Sequence, residues 1–143
     1  MFEKKFFLEI VTPTKIIFRG EVCSVMVPGI VSSLGVLADH VPFLTVLDIG
    51  EVMVREEPDR VRYLAIGGGF LEVLPEKVTI LADTAEWAEE IDVERAEDER
   101  KRALKRLEES VLEEDIEEAK LALKQAQNRI KVAARTLREE GGG

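Results

Sequence analysis

The only histidine of this 143-residue chain, His40, is the side chain best suited by type to acid–base chemistry, and Asp39 directly precedes it. A catalytic histidine usually activates a serine or cysteine nucleophile, and a histidine-based metal site needs further histidines. The sequence contains no recognisable arrangement of either kind. We therefore interpret His40 as a loop residue that forms hydrogen bonds or lies at a contact surface.

Three consecutive glycines, Gly67, Gly68 and Gly69, resemble the start of a phosphate-binding loop. Such a loop needs the N-terminus of a helix behind it, and the phosphate loop of nucleotide hydrolases ends in Lys followed by Ser or Thr. Here the glycines are followed by Phe70 and Leu71 in a strand-like pattern. They therefore predict a bend or bulge within a strand.

Composition argues against several classes of function. The net charge of −9 and the lack of a dense basic patch disfavour nucleic-acid binding, which relies on Lys and Arg to neutralise phosphates. Cys23 is the only cysteine, so disulfides and thiolate clusters are excluded and a reducing compartment fits. We expect its side chain to be buried. An enzyme with an active site in the first half would lack a nucleophile, a metal-ligand set and an acid–base pair.

The sequence also predicts a soluble intracellular protein. No apolar run approaches the roughly 20 residues that a membrane-spanning helix needs. Strand-like sequence follows the first five residues directly, with no signal peptide.

The predicted secondary structure that positions these residues changes from strands to helices near residue 85. All prolines precede Glu76, and neither glycine nor proline occurs between Glu76 and Glu140. Short alternating apolar runs before the change, separated by turn signals, predict antiparallel strands. The later segment, without Gly or Pro, predicts helix. The expected fold class is α+β, with an N-terminal antiparallel β-sandwich followed by a C-terminal two-helix antiparallel hairpin.

Boundaries follow from the same signals. The expected strands cover residues 6–11, 16–18, 21–27, 52–55, 61–66, 70–74 and 78–82. The expected domains are a β-sandwich at 1–85, a linker at 86–90, a helical hairpin at 91–140 and a glycine tail at 141–143.

A phase break in the apolar spacing divides the late segment into two helices. The first seam is Val93, Ala96, Ala103 and Leu107, and the second is Ile116, Ala119, Leu123, Ala126, Ile130, Ala133 and Leu137. The phase changes between Glu108 and Asp115, where acidic residues cluster as the dipole of a new helix favours. Asp92 is the expected N-cap of the first helix, and Ser110 with Glu113 reads as a capping box for the second.

Alanine-rich seams bury little apolar area, so we expect the hairpin to be held only marginally. The connector contains no glycine or proline. The two helices could therefore straighten into one rod.

Taken together, these features resemble the epsilon subunit of bacterial F-type ATP synthases over essentially the whole chain. The segments that carry the resemblance are residues 8–13, 28–29, 34–42, 68–73, 78–83 and 91–96. The last of these, Ile91-Asp92-Val93-Glu94-Arg95-Ala96, looks like the nucleotide motif of that family.

The resemblance implies a non-catalytic rotor subunit of the central stalk that couples c-ring rotation to the catalytic hexamer. The implied partners are the gamma subunit, the c-ring and the alpha/beta hexamer, and the implied location is the cytoplasmic face of the inner membrane, peripherally. Rotor contacts would come from Ser32, Leu34, His40 and Pro42. Inhibition of ATP hydrolysis by extended helices would use Lys124, Arg129, Lys131 and Arg135.

The resemblance further implies ATP as a regulatory ligand, with no cofactor and no metal. The matching nucleotide-binding positions are Glu86, Ile91, Asp92, Arg95, Ala96, Arg102 and Arg129. Gln125 stands where strong ATP binders of the family tend to carry an arginine. An alternative reading stays open, in which Asp92 is only a helix cap and Arg95 only a surface charge.

A second class of function is also compatible with the sequence. A non-catalytic adaptor could bind a partner coiled coil through the apolar seam of its helical hairpin. Binding to a gamma-type coiled coil and inhibition of a partner ATPase discriminate between the two hypotheses.

Overall fold

The computed structural model describes residues 4–141, with side chains from residue 4 to residue 136. The chain divides into two units, Met1–Trp87 and Ala88–Gly143. The first unit contains the strands β1 (Phe6–Val11), β2 (Ile16–Val22), β3 (Ser24–Pro28), β4 (Ser33–Leu37), β5 (Phe43–Glu57), β6 (Arg60–Val73), β7 (Val78–Ala82) and β8 (Ala85–Trp87). The second contains a short 3-10 helix (Ala88–Glu90), α1 (Val93–Glu109) and α2 (Glu113–Gly141). The expected α+β class, a β-sandwich followed by a two-helix hairpin, is confirmed.

The strands form one hydrogen-bonded sheet in the order β2-β1-β7-β6-β5-β3-β4, and β8 pairs with β6. Neighbouring strands are antiparallel, as expected, except that β1 and β7 run parallel. One pair, β1 with β7, therefore departs from the expected antiparallel pairing. Alternation of apolar residues reports which face of a strand is buried, but it carries no information on the direction of a partner distant in sequence.

Two long strands let this one sheet form two layers. The C-terminal part of β6 pairs with β7, and its N-terminal part pairs with β8, while β5 accompanies β6 along nearly its whole length. Alternate side chains point to a shared apolar core. The largest fully buried side chains include Leu8, Ile10, Leu64, Ile66, Leu71, Ile80, Val22, Val25, Val27, Val52, Val54 and Val73.

The three glycines lie inside β6, where the strand passes between the layers. Gly68 has φ +91° and Gly69 has φ +150°, a region that residues with a Cβ atom rarely occupy. A Cβ atom on Gly69 would lie 2.0 Å from the carbonyl oxygen of Leu81 in β7. The prediction of a bend in a strand is confirmed, because the three glycines lie within β6 and both Gly67 and Gly69 pair with β5.

Several strand boundaries differ from those expected. The segments 61–66 and 70–74 belong to one strand through the glycines, and β4, β8 and the first part of β5 were not predicted. Residues 86–90, expected as a linker, contain the end of β8 and the 3-10 helix. The turn signals between the expected strands 52–55 and 61–66 and between 70–74 and 78–82 form two hairpin turns, one at Pro58 and Asp59 and one closed by a hydrogen bond from the Leu74 amide to the Lys77 carbonyl.

Helix α1 begins and ends with side-chain caps. The Asp92 carboxylate accepts a hydrogen bond of 3.1 Å from the Arg95 amide, so the predicted N-cap is confirmed. Ser110, however, is the C-cap of α1, and its amide donates to the Arg106 carbonyl. The expected capping box of Ser110 and Glu113 was therefore wrong. The break between the helices is confirmed, since α1 ends at Glu109 and α2 begins at Glu113.

Alanines form most of the buried seam of the helical unit. Ala96 and Ala103 are buried in α1, as are Ala119, Ala126 and Ala133 in α2. Val93, assigned to the first seam, is 43% exposed, whereas Val132, outside the predicted seam, is completely buried. Leu137 lies beyond the described side chains, and residues 142–143 of the expected glycine tail lie outside the described residues.

We predict that Gly69→Ala destabilises the sandwich by about 3 kcal/mol or more, because the new Cβ must displace the β7 backbone and occupy a strained φ. Denaturant unfolding monitored by circular dichroism measures the change. Gly35→Ala is the matched control: its Cβ meets only the sulfur of Met26, at 3.9 Å. We expect it to alter stability by about 0.5 kcal/mol at most. Equal stability of the two variants would contradict the close-approach argument.

Candidate functional site

The His40 ring joins two connections of the sandwich. Its Nδ1 lies 2.9 Å from the Leu37 carbonyl oxygen and its Nε2 lies 2.6 Å from the Leu74 carbonyl oxygen. The ring also packs edge-to-face on Phe6, with centroids 5.5 Å apart. These contacts tie the connection between β4 and β5 to the turn between β6 and β7. His40 is therefore held in place by backbone acceptors and an aromatic contact, consistent with a structural or interface residue.

The other residues assigned to rotor contacts lie close to His40 in sequence and differ in burial. Ser32 is exposed in the turn before β4, and Pro42 is exposed just before β5. Leu34, on β4, packs partly against the core. Sequence reasoning overlooked Ile30 and Val31, which are 63% and 98% exposed in the same turn as Ser32. Their position directly after the turn signal Pro28-Gly29 was the sequence feature that could have identified them.

A row of exposed or partly buried apolar side chains crosses the outer face of one layer of the sandwich. Val46 of β5 is opposite Phe70 of β6, and Phe70 is opposite Leu81 of β7. The row continues to Val11 of β1 and Ile16 of β2. Directly opposed residues in a sheet have Cβ atoms about 5 Å apart. We call these five residues the outer apolar row.

The outer apolar row is accessible to a partner. Val46, Phe70 and Leu81 are each close to half exposed, at 48%, 47% and 47%. Ile16 is 55% exposed. Scattered exposed apolar residues are ordinary, but a contiguous patch marks an interaction surface. The sequence did not reveal this row, because its members come from five strands and only the sheet register brings them together.

The residues assigned to nucleotide binding are divided between the two units. Glu86 lies in β8, opposite Ala65 of β6, whereas Ile91, Asp92, Arg95 and Ala96 lie at the start of the helical unit. Asp92 caps α1, and both Ile91 and Ala96 are buried. Their burial and the cap give this motif a structural role in the hairpin.

A group of charged side chains does come together within the hairpin. Arg95, Glu99 and Arg102 share one face of α1, since their spacing of four and three residues spans about 60° of helix rotation. Arg129 of α2 donates a hydrogen bond to the Glu99 carboxylate. The Arg95 Nε atom is 4.0 Å from the same carboxylate oxygen. Sequence reasoning named the three arginines and missed Glu99, although its position four residues after Arg95 was visible.

The basic residues assigned to inhibition do not form a single group. At about 100° per residue, Lys124, Lys131 and Arg135 fall within about 40° of one another on α2. Arg129 lies roughly 120–160° away from them by the same geometry, on the side that reaches Glu99. In the closed hairpin, three of these bases therefore lie on one face of α2, whereas the fourth, Arg129, contacts Glu99 of α1.

The pKa of Lys5 is raised, because its ammonium group donates a hydrogen bond to the Glu57 carboxylate. Within residues 4–136, no three His, Cys, Asp or Glu side chains are arranged to hold a metal ion. Neither helix, as far as the structure describes it, is long and apolar enough to cross a membrane.

Both units match models of known protein families. Residues 5–88 match the beta-sandwich domain of the ATP synthase delta/epsilon chain. Residues 89–134 match the long alpha-helix domain of the same chain. Together the two matches cover nearly the whole sequence.

Individual proteins similar to this chain are also ATP synthase subunits. The chain is 46% identical to the ATP synthase epsilon chain of Moorella thermoacetica over 126 residues, which is 88% of this chain and 94% of the relative. It is 39% identical to that of Syntrophomonas wolfei over 137 residues, covering 96% and 100% of the two chains. Among solved structures, a chain of the Euglena gracilis mitochondrial ATP synthase (OSCP/F1/c-ring) matches with a TM-score of 0.78 and 23% identity, covering 90% of this chain and 81% of that one. The last similarity concerns the fold alone.

Proposed function

Because the chain belongs to the delta/epsilon family of ATP synthase subunits, we propose that it is a rotor component of the central stalk of an F-type ATP synthase. As a member of this family it is a non-catalytic subunit and not an enzyme. In this role it couples rotation of the c-ring to the catalytic hexamer. It would lie at the cytoplasmic face of the membrane and be attached only through the complex.

The outer apolar row is the observation that carries the proposed docking to a gamma-type subunit. An apolar stripe across five strands provides a rigid surface, and its burial against a partner releases water from each side chain. Charged residues lie beside the row. Glu72, two residues after Phe70 in β6, is exposed, and Glu9 of β1 forms an ion pair with Arg19. An apolar centre with a polar rim is the usual anatomy of a protein interface.

The segment from Ile30 to Pro42 supports the proposed contact with the c-ring. Ser32 and Pro42 are exposed there, and Val31 is 98% exposed. His40 fixes this segment to the rest of the sandwich through its two carbonyl contacts. A turn that is exposed at its tip and anchored at its base can transmit torque without deforming.

The adaptor hypothesis receives less support. An adaptor that binds a partner coiled coil through its seam needs apolar residues that are accessible along the helices. The seam alanines Ala103, Ala119 and Ala126 are instead buried within the hairpin. Only an opened hairpin could present them.

Two regulatory functions complete the proposal. The face formed by Lys124, Lys131 and Arg135 would bind acidic residues of the catalytic subunits when the helices extend, and so inhibit ATP hydrolysis. ATP would bind the closed hairpin through Arg95, Arg102 and Arg129, because guanidinium groups match phosphate oxygens in charge and geometry. Such a ligand favours the closed form by mass action.

We predict that Val46→Glu weakens binding to a gamma-containing complex roughly thirtyfold, because a charge buried in an apolar contact costs about 2 kcal/mol. Surface plasmon resonance with the immobilised complex measures the dissociation constant. Val111→Glu is the matched control, since Val111 is 90% exposed in the connector between the helices. Wild-type affinity in Val46→Glu would exclude the outer apolar row as the docking surface. Absence of binding by the wild-type chain would remove the rotor assignment itself.

We predict that the double variant Lys124→Gln/Lys131→Gln relieves inhibition of ATP hydrolysis. Two lost ion pairs of about 0.5 kcal/mol each correspond to roughly fivefold weaker inhibition. Steady-state ATPase assays of the reconstituted hexamer with gamma measure this effect. Lys101→Gln/Lys105→Gln removes the same charge from exposed positions of α1 and should inhibit like the wild type. Equal inhibition by both variants would exclude the basic face of α2.

We predict that ATP raises the melting temperature of the isolated chain and that Arg95→Ala abolishes the shift. At ten times the dissociation constant, binding adds about 1.4 kcal/mol of stability. Differential scanning fluorimetry over a series of ATP concentrations measures the shift. Arg106→Ala is the control, because Arg106 pairs with Glu118 and lies outside the candidate site. An equal ATP response in wild type and Arg95→Ala would assign Asp92 and Arg95 to helix capping and surface charge alone.

A further inference from the structure

The Glu99 carboxylate lies close to basic side chains of both helices. Arg129 of α2 donates a hydrogen bond to Oε1 of Glu99, and Nε of Arg95 in α1 lies 4.0 Å from the same oxygen. The pair between the helices is partly shielded from water, with the Arg129 side chain 22% exposed and the Glu99 side chain 41% exposed. Salt screens such a pair less than it screens a fully exposed one.

A carboxylate in this position has the chemistry of a bound phosphate group. Both present negatively charged oxygens to the planar fork of a guanidinium group. Arg95 and Arg129 are two of the arginines proposed above to bind ATP. In the closed hairpin, the Glu99 carboxylate of α1 is therefore already an anion next to Arg95 and Arg129.

We propose that Glu99 is an internal anion that latches the closed hairpin through Arg129 and competes with the phosphate groups of a nucleotide for Arg95 and Arg129. The competition rests on the proposed nucleotide site, whereas the latch rests only on the contacts of Glu99. The carboxylate acts in two ways: it occupies the guanidinium donors, and its charge repels an approaching phosphate.

Two features make the competition effective. Glu99 lies on the same helix face as Arg95 and Arg102, so a phosphate that reaches these arginines must come close to its carboxylate. In addition, Gln125 lies one helical turn before Arg129 and is uncharged, so α2 offers no second guanidinium at that position to outweigh the repulsion. The closed hairpin is thereby stabilised without a nucleotide.

Replacing Glu99 by Gln should have opposite effects on stability and on ATP affinity. Without the carboxylate charge the link between the helices weakens, so the helical melting temperature without nucleotide falls. The Glu99 carboxylate no longer competes for Arg95 and Arg129 and its repulsion disappears, so ATP binds about fivefold tighter or more, as expected for a unit charge about 4 Å away even at high dielectric. An ion pair with a purely structural role would lower stability without raising ATP affinity.

The experiment compares full-length wild type, Glu99→Gln and Glu97→Gln. Glu97 is a matched control, because it pairs with Arg100 within α1 and the substitution removes the same charge. Thermal unfolding is followed by circular dichroism at 222 nm without nucleotide. Isothermal titration calorimetry with ATP, at fixed ionic strength, gives the affinities.

Supporting results are a lower melting temperature and tighter ATP binding in Glu99→Gln, with neither change in Glu97→Gln. Unchanged or weaker ATP binding in Glu99→Gln overturns the competition, and an unchanged melting temperature overturns the latch. Binding of ATP by Glu99→Gln but not by the wild type supports the inference while rejecting ATP sensing by the natural chain. Absence of ATP binding in both rejects the nucleotide site and the competition together.

Discussion

The close approach of β6 to β7 at Gly69 is the constraint on which the β unit depends. Because no Cβ atom fits between Gly69 and the Leu81 carbonyl, the register of β6 against β7 is tied to this position. Side chains alternate along a strand, so a slip of one residue would exchange the buried and exposed sets. The register that places Leu71 and Ile80 in the core therefore also places Phe70 and Leu81 on the outer face. Stability and the proposed docking surface arise from the same backbone contact.

The helical unit is built on a different balance of forces. Its seam of alanines lets the helices approach closely, but each alanine buries far less apolar area than the leucines and isoleucines of the sandwich. Charged pairs between the helices add to this small apolar contribution: Glu99 with Arg129 is partly shielded, whereas Arg106 with Glu118 is largely exposed and adds little. A change of one charge alters such a pair immediately, whereas the sandwich core is insensitive to it. This difference is consistent with the proposed roles of the sandwich as a rotor element and of the helical unit as a regulatory element.

Local signals in the sequence were sufficient for much of the fold. The turn at Pro58 and Asp59, the Asp92 cap and the phase change between the helices each depend on residues close in sequence. Features that depend on distant pairing were missed, including the parallel β1–β7 pair and the outer apolar row. Ser110 was assigned to the wrong helix because a serine near the connector suits either role, and only its hydrogen bond to the Arg106 carbonyl decides between them. Glu99 was overlooked for a similar reason, since its partner is thirty residues away.

Arg129 links the proposed regulatory states, because binding one anion to its guanidinium group hinders the binding of another. In the closed hairpin its guanidinium group is bonded to Glu99, and the sequence resemblance assigns the same group to ATP and to acidic residues of the catalytic subunits. These three anions compete, because two negatively charged groups bound at one guanidinium group repel each other at close range. A hairpin that opens must first break the Glu99 contact, and the lost interaction is recovered only if another anion takes its place. In the proposed mechanism, the extended form is favoured only where acidic partners are present, so the proposed inhibition would occur only in the assembled complex.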